Sequence, residues 1–123
     1  MWIFNDDGFF STVVDVDDHS RLAVRSRDRF SLVNFVKATD LGETADLIVE
    51  TRERDYPYRV YVDQDVWVRY MCDKADALDY CDFKSRMHER YLHGKFPFKC
   101  LKTLGTIWAV MYDGWEVRGH GDG

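Results

Sequence analysis

Trp2 to Phe4 and Phe9 to Val16 are aromatic and β-branched runs separated by Asn5-Asp6-Asp7-Gly8. Polar residues ending in a glycine suit a tight turn, so the two runs read as a β-hairpin. Asp17-Asp18-His19-Ser20 makes a second turn. Beyond it, Leu22, Val24 and Ser26 alternate with Ala23, Arg25 and Arg27, which predicts a third strand with one apolar and one arginine-bearing face. Tyr58, Val60 and Val62 alternate in the same way around Arg59 and Tyr61. The short run Leu47-Ile48-Val49 is expected to pair with that segment across the charged stretch Glu50 to Asp55.

The period changes to 3.6 elsewhere. Asp28 is placed to cap a helix over Phe30 to Lys37, where Leu32, Val33 and Val36 share a face and Gly42 follows the exit. After Asp63, Trp67, Tyr70, Met71, Lys74 and Leu78 keep helical phase. Phe83, Met87 and Tyr91 recur every four residues beside Lys84, Arg86 and Arg90, giving a helix with one apolar stripe and one basic face; Asp79 is the expected cap and Gly94 the expected end. Pro97 suits the first turn of a last helix carrying Leu101, Leu104, Trp108 and Met111. Thr106 to Tyr112 is also β-branched and aromatic, so the pattern leaves 103–112 undecided between helix and closing strand.

These elements predict an α+β fold: an antiparallel β-meander of about five strands, with two to three helices packed on one face. Residues 1–113 read as a single domain and 114–123, with its glycines, as a flexible tail. At 123 residues the chain has the size of one core. With 46% hydrophobic residues and only 2 prolines, an ordered globule is expected.

Charge changes this picture. Residues 1–83 carry 10 Lys and Arg against 18 Asp and Glu, whereas 84–102 carry 6 against Glu89 alone. A basic block in an acidic chain is a candidate contact surface, to be weighed against an ordinary solvated helix face. Cys72, Cys81 and Cys100 are odd in number and widely spaced, which suits free thiols rather than a disulfide framework. The segment Met1 to Asp7 does not read as a signal peptide, and no run approaches a membrane span, so a cytoplasmic protein without membrane partners is expected.

Candidate chemistry is sparse. Cys81, His88, His93 and Cys100 lack the close upstream cysteine pair of a zinc finger, and no metal or cofactor is expected. There is no Gly-x-Ser-x-Gly elbow, no phosphate loop and no dinucleotide turn. The polar set that stands out is Arg25, Arg27, Tyr56, Tyr58, Arg59, Lys84 and His88. Arginines interleaved with aromatics on an open sheet face suit single-stranded nucleic acid. The plain alternative is a solvated face whose arginines pair with the abundant carboxylates. Tyr56-Pro57 also has a purely structural use, because proline holds the residue before it extended.

Met1-Trp2-Ile3-Phe4, Gly8-Phe9-Phe10-Ser11, Val24-Arg25-Ser26-Arg27, Tyr56-Pro57-Tyr58-Arg59, Asp79-Tyr80-Cys81-Asp82-Phe83-Lys84 and Trp108-Ala109-Val110-Met111-Tyr112 resemble a group of small bacterial and phage proteins of no assigned function. The resemblance implies a shared fold and a small stand-alone protein, and it implies no activity. The first expectation is therefore a non-enzymatic binding or regulatory protein, phage-encoded on the strength of that resemblance, that docks on a host macromolecule, with another protein as partner. The second is a single-stranded nucleic-acid-binding or ribonuclease-like protein. Four tryptophans and seven tyrosines are compatible with a homodimer.

Overall fold

The computed structural model describes residues 1–115, save the side chain of Ala45, and divides the chain into two compact units, Met1–Cys81 and Asp82–Gly123. Strands β1 (Trp2–Asn5), β2 (Gly8–Val14), β3 (Leu22–Ser26), β4 (Val49–Glu50) and β5 (Tyr58–Val62) form one antiparallel sheet in the order β1-β2-β3-β5-β4. Thus the α+β meander is present, with β5 returning beside β3 and the two-residue β4 at the edge.

The β1–β2 register pairs Asn5 with Gly8 and leaves Asp6-Asp7 as a two-residue turn. Helix α1 (Arg29–Thr39) begins where the sequence placed it. The Asp28 carboxylate accepts from the Ser31 amide at 2.7 Å and from the Ser31 hydroxyl at 3.0 Å, satisfying a helix-start donor. Its exit is set by Asp40, in left-handed geometry at φ 54°, two residues before Gly42. Helix α3 (Gln64–Asp76) ends before Leu78, which lies past the helix and is exposed.

The strand expected over 47–49 is shorter than its apolar run. Thr44–Leu47 is a single helical turn, α2, so only Val49 and Glu50 reach the ladder. Leu47 and Ile48 pack against the core cluster instead, and burial there outweighs the local β-propensity.

Alternation then places the core. Val24, Val60 and Val62 from the sheet join Phe10, and α1 and α3 cover them with Leu32, Phe35, Val36, Trp67 and Tyr70. Burial of each such side chain contributes about 1.5–3 kcal/mol. Four rings, Phe10, Phe35, Trp67 and Tyr70, meet with centroids between 4.7 and 6.3 Å and largely tilted or edge-on planes. Such pairs add to the burial of area alone.

The second unit holds α4 (Phe83–Leu92) and α5 (Phe98–Gly114). Asp82, not Asp79, is the α4 cap. Its carboxylate accepts from the Lys84 amide at 3.1 Å and from the Ser85 hydroxyl at 2.6 Å. Gly94 follows the helix at φ 75°. Residues 103–112 are helical, and Pro97 caps α5 from outside its first turn. Half-buried Leu101, Leu104 and Ile107 recur at helical spacing, while Tyr91 meets Phe98 at 5.7 Å. Of the tail expected over 114–123, Gly114 closes α5 and Trp115 caps it; residues 116–123 lie outside the described residues. No helix among the described residues is long and apolar enough to cross a membrane.

Candidate functional site

The face of the sheet opposite α1 and α3 is assembled by register. Trp2 stands opposite Ser11, Ser11 opposite Arg25, Arg25 opposite Arg59, and Arg59 opposite Val49, so these five residues form one row across the sheet. Residues directly paired in an antiparallel sheet project to the same side. Phe4 and Phe9 form the next pair on this face, and Ala23 with Tyr61 lies on the other side of the row.

Arg25 is fixed at the centre. Its Nε donates to the Ser11 carbonyl at 3.2 Å and its Nη2 to the Ser11 hydroxyl at 2.7 Å. Its Cζ lies 4.7 Å from the Tyr56 ring centroid, and the Cζ of Arg27 lies 5.2 Å from the same ring. Tyr56 is delivered there by the loop after β4, which the Thr51 amide closes by donating to the Pro57 carbonyl at 2.7 Å. The ring is 8% exposed, so it supports both guanidinium groups from a fixed position.

The electrostatics of this row are unbalanced. Burial, and next the positive charge of Arg59, push the Arg25 pKa below its ordinary value, with Tyr56 opposing in part. Like charges facing each other across two strands destabilise the pair. Among the described residues no carboxylate forms an ion pair with Arg25, Arg27 or Arg59. Arg29, Arg54 and Arg69 likewise have no ion pair among the described residues, whereas two other arginines of this unit do. Arg21 binds Asp15 at 2.7 Å, which holds that carboxyl below its usual value, and its Cζ lies 4.1 Å from the Tyr61 centroid. Arg52 binds Glu50 at 3.2 Å. The acids thus neutralise Arg21 and Arg52, while among the described residues the Arg25 cluster has no such counter-charge.

Aromatic rings continue the site toward β1. Phe4 stacks on Phe9 with centroids 4.4 Å apart and planes 15° from parallel, and Trp2 meets Phe9 edge-on at 6.0 Å. Phe9 in turn approaches Tyr56 at 6.3 Å. Trp2 is 70% exposed and Phe4 40%, so the β1 end presents two open aromatic surfaces beside the arginines.

Of the residues singled out in the sequence, Arg25, Arg27, Tyr56 and Arg59 come together here. Tyr58 does not: it pairs with Ser26 on the opposite side of the sheet and packs against the core. Lys84 and His88 belong to α4 in the second unit, where the Lys84 ammonium lies 4.4 Å from the Trp108 centroid and the His88 ring 6.0 Å from Tyr91. Trp2, Phe4 and Phe9 are members that the sequence reading missed. The signal was present, because a two-residue turn at Asp6-Asp7 fixes the register that sets Phe4 opposite Phe9 and Trp2 opposite Ser11. No group of three or more His, Cys, Asp or Glu side chains gathers for a metal ion among the described residues. Comparison with protein-family models, with curated proteins and with solved structures finds no match to this chain.

Proposed function

We propose that this chain is a small non-enzymatic binding protein that docks on an anionic macromolecule through the Arg25, Arg27 and Arg59 end of its open sheet face. One observation carries the reading: Arg25 and Arg59 face each other across β3 and β5 with no carboxylate paired to either among the described residues. An anion seated between them relieves the repulsion and takes up donors that the fold leaves unused. Guanidinium forks suit phosphate or carboxylate oxygens, and they stay protonated at neutral pH, so they hold charge and transfer no proton.

A base-free polyanion tests this reading. Inorganic polyphosphate titrated at low salt is expected to raise the unfolding temperature of the wild type, with the effect fading as salt rises. Arg59→Ala is expected to weaken that binding by about tenfold, as the loss of one charge-assisted contact implies. Lys37→Ala, which removes a charge from α1 on the covered side of the sheet, is expected to leave it unchanged. Equal affinity in wild type and Arg59→Ala, or no stabilisation at low salt, overturns the proposal.

A further inference from the structure

Resting on that reading, we infer that the anionic partner is a single-stranded nucleic acid, with a phosphate held between Arg25 and Arg59 and bases stacked on Trp2 and Phe4.

An anion alone leaves part of this face without a use. Three arginines would suffice for any phosphate or carboxylate, yet the same face carries Trp2 and Phe4 with exposed rings and Phe9 behind them as a stacking support. Trp2 and Phe4 stand two residues apart on one strand and so share one side of it. Bases offer flat π surfaces to such rings regardless of sequence, and open sheets that read single strands combine them with cationic side chains.

Spacing supports the assignment. Trp2 and Arg25 occupy one row, separated by the single strand β2. Neighbouring strands lie about 4.8 Å apart, which puts the Trp2 backbone about 10 Å from that of Arg25 and about 14 Å from that of Arg59. A chain crossing the strands thus meets aromatic surface first and guanidinium groups next, so a base on Trp2 and a phosphate at Arg25 and Arg59 can belong to one extended strand. In a duplex the bases are stacked and paired, and their faces are closed to Trp2 and Phe4. An acidic peptide satisfies the arginines and has no equivalent use for the exposed indole and the stacked pair behind it.

The charge of the chain limits the strength of binding in a way that can be measured. Net charge is −5, so attraction for a polyanion comes from the local cluster and not from the whole molecule. With one phosphate held between Arg25 and Arg59 and a second on Arg27, log K is expected to fall with log salt at a slope of about −1.4, from roughly −0.7 per phosphate on a single strand.

The test uses the full chain, fluorescently labelled single-stranded RNA and DNA of about 10 nucleotides, the matching duplex, and inorganic polyphosphate. The expected result is that both single strands bind more tightly than the duplex, with the salt slope above. Trp2→Ala is expected to weaken single-strand binding by about tenfold while leaving polyphosphate binding unchanged, because only the bases use the indole. Arg59→Ala is expected to weaken both ligands and to make the slope shallower by about 0.7. Trp2→Thr, which keeps a strand-forming residue at the edge, repeats the Trp2 arm should the alanine variant lose its fold. Duplex binding as tight as single-strand binding, or single-strand affinity indifferent to Trp2, overturns the inference while Arg59-dependent polyphosphate binding leaves the anion-docking reading standing. Absence of binding to every probe at low salt removes both.

Discussion

Gly8→Ala is expected to destabilise the protein by about 3–5 kcal/mol. Gly8 opens β2 at φ 143°, a region that side chains rarely adopt. A Cβ built there falls 1.9 Å from the Ser31 Oγ and 2.6 Å from the Ser31 Cβ. Ser31 cannot yield cheaply, because it is fully buried in the first turn of α1. Its hydroxyl donates to Asp28 at 3.0 Å and accepts from the Phe9 amide at 3.2 Å. The hairpin turn therefore touches the helix start almost backbone to side chain, and one methyl group must push them apart. Urea unfolding measures the effect as a drop in midpoint with little change in slope. Ser31→Gly is expected to be costly alone and much less costly in the Gly8→Ala background, since it removes the atoms that clash. A Gly8→Ala variant within about 1 kcal/mol of wild type contradicts this contact between hairpin and helix.

Lys74→Met is expected to cost about 2–4 kcal/mol, because it removes the ammonium that two nearly buried carboxylates share. The Lys74 ammonium donates to Asp6 at 3.0 Å and to Asp7 at 2.7 Å, and the two carboxylate side chains are only 8% and 12% exposed. Tyr70 donates its hydroxyl to Asp7 at 2.7 Å and accepts from Asn5 at 3.0 Å; burial, with the Asp7 charge adding to it, holds the phenol protonated. Asn34 of α1 donates to the Asp7 carbonyl at 3.0 Å. The turn between β1 and β2 is thereby tied to α1 and α3 at once. The lysine stem stays about one-fifth exposed, which keeps the estimate below that of a fully buried pair. Thermal unfolding is the measurement. Asp6→Asn is expected to destabilise the wild type and to restore part of the loss in the Lys74→Met background. Additive effects of the two substitutions would show that the ion pair is not what holds the turn.

How much of this was legible in the sequence depended on whether a signal was local. The Asn5 to Gly8 turn, the Asp28 cap and the alternation around Val24 and Val60 act over a few residues, and the corresponding elements form as read. The cap of α4 was misplaced because Asp79 and Asp82 are both plausible acceptors, and only geometry shows Asp82 reaching the Lys84 amide. The run Leu47-Ile48-Val49 yields a helical turn and a two-residue strand, since packing against the core decides a segment that short. Thr106 to Tyr112 becomes helix despite its β-branched residues, because it continues a turn begun at Pro97 and a half-buried stripe at Leu101, Leu104 and Ile107.

The site divides along the same line. Which side of a strand Arg25, Arg27 and Arg59 occupy follows from period two, so their common face was readable. Which residues stand beside them depends on strand register and order, and Trp2 and Phe9 entered the site only through β1–β2–β3 pairing. Tyr58 was grouped with its neighbours by proximity in sequence, but the same period that exposes Arg59 turns it inward.

Whether the arginines of the open sheet face receive an anionic strand is read out residue by residue by NMR. A titration with a short single-stranded oligonucleotide would follow backbone amides and arginine Nε–H resonances. The expected shifts concentrate on Arg25, Arg27 and Arg59 with the indole N–H of Trp2, while Lys37 and the α1 amides stay still. Shifts confined to Lys84, His88 and their neighbours on α4, or no shifts on the sheet at saturating ligand, would contradict docking on this face.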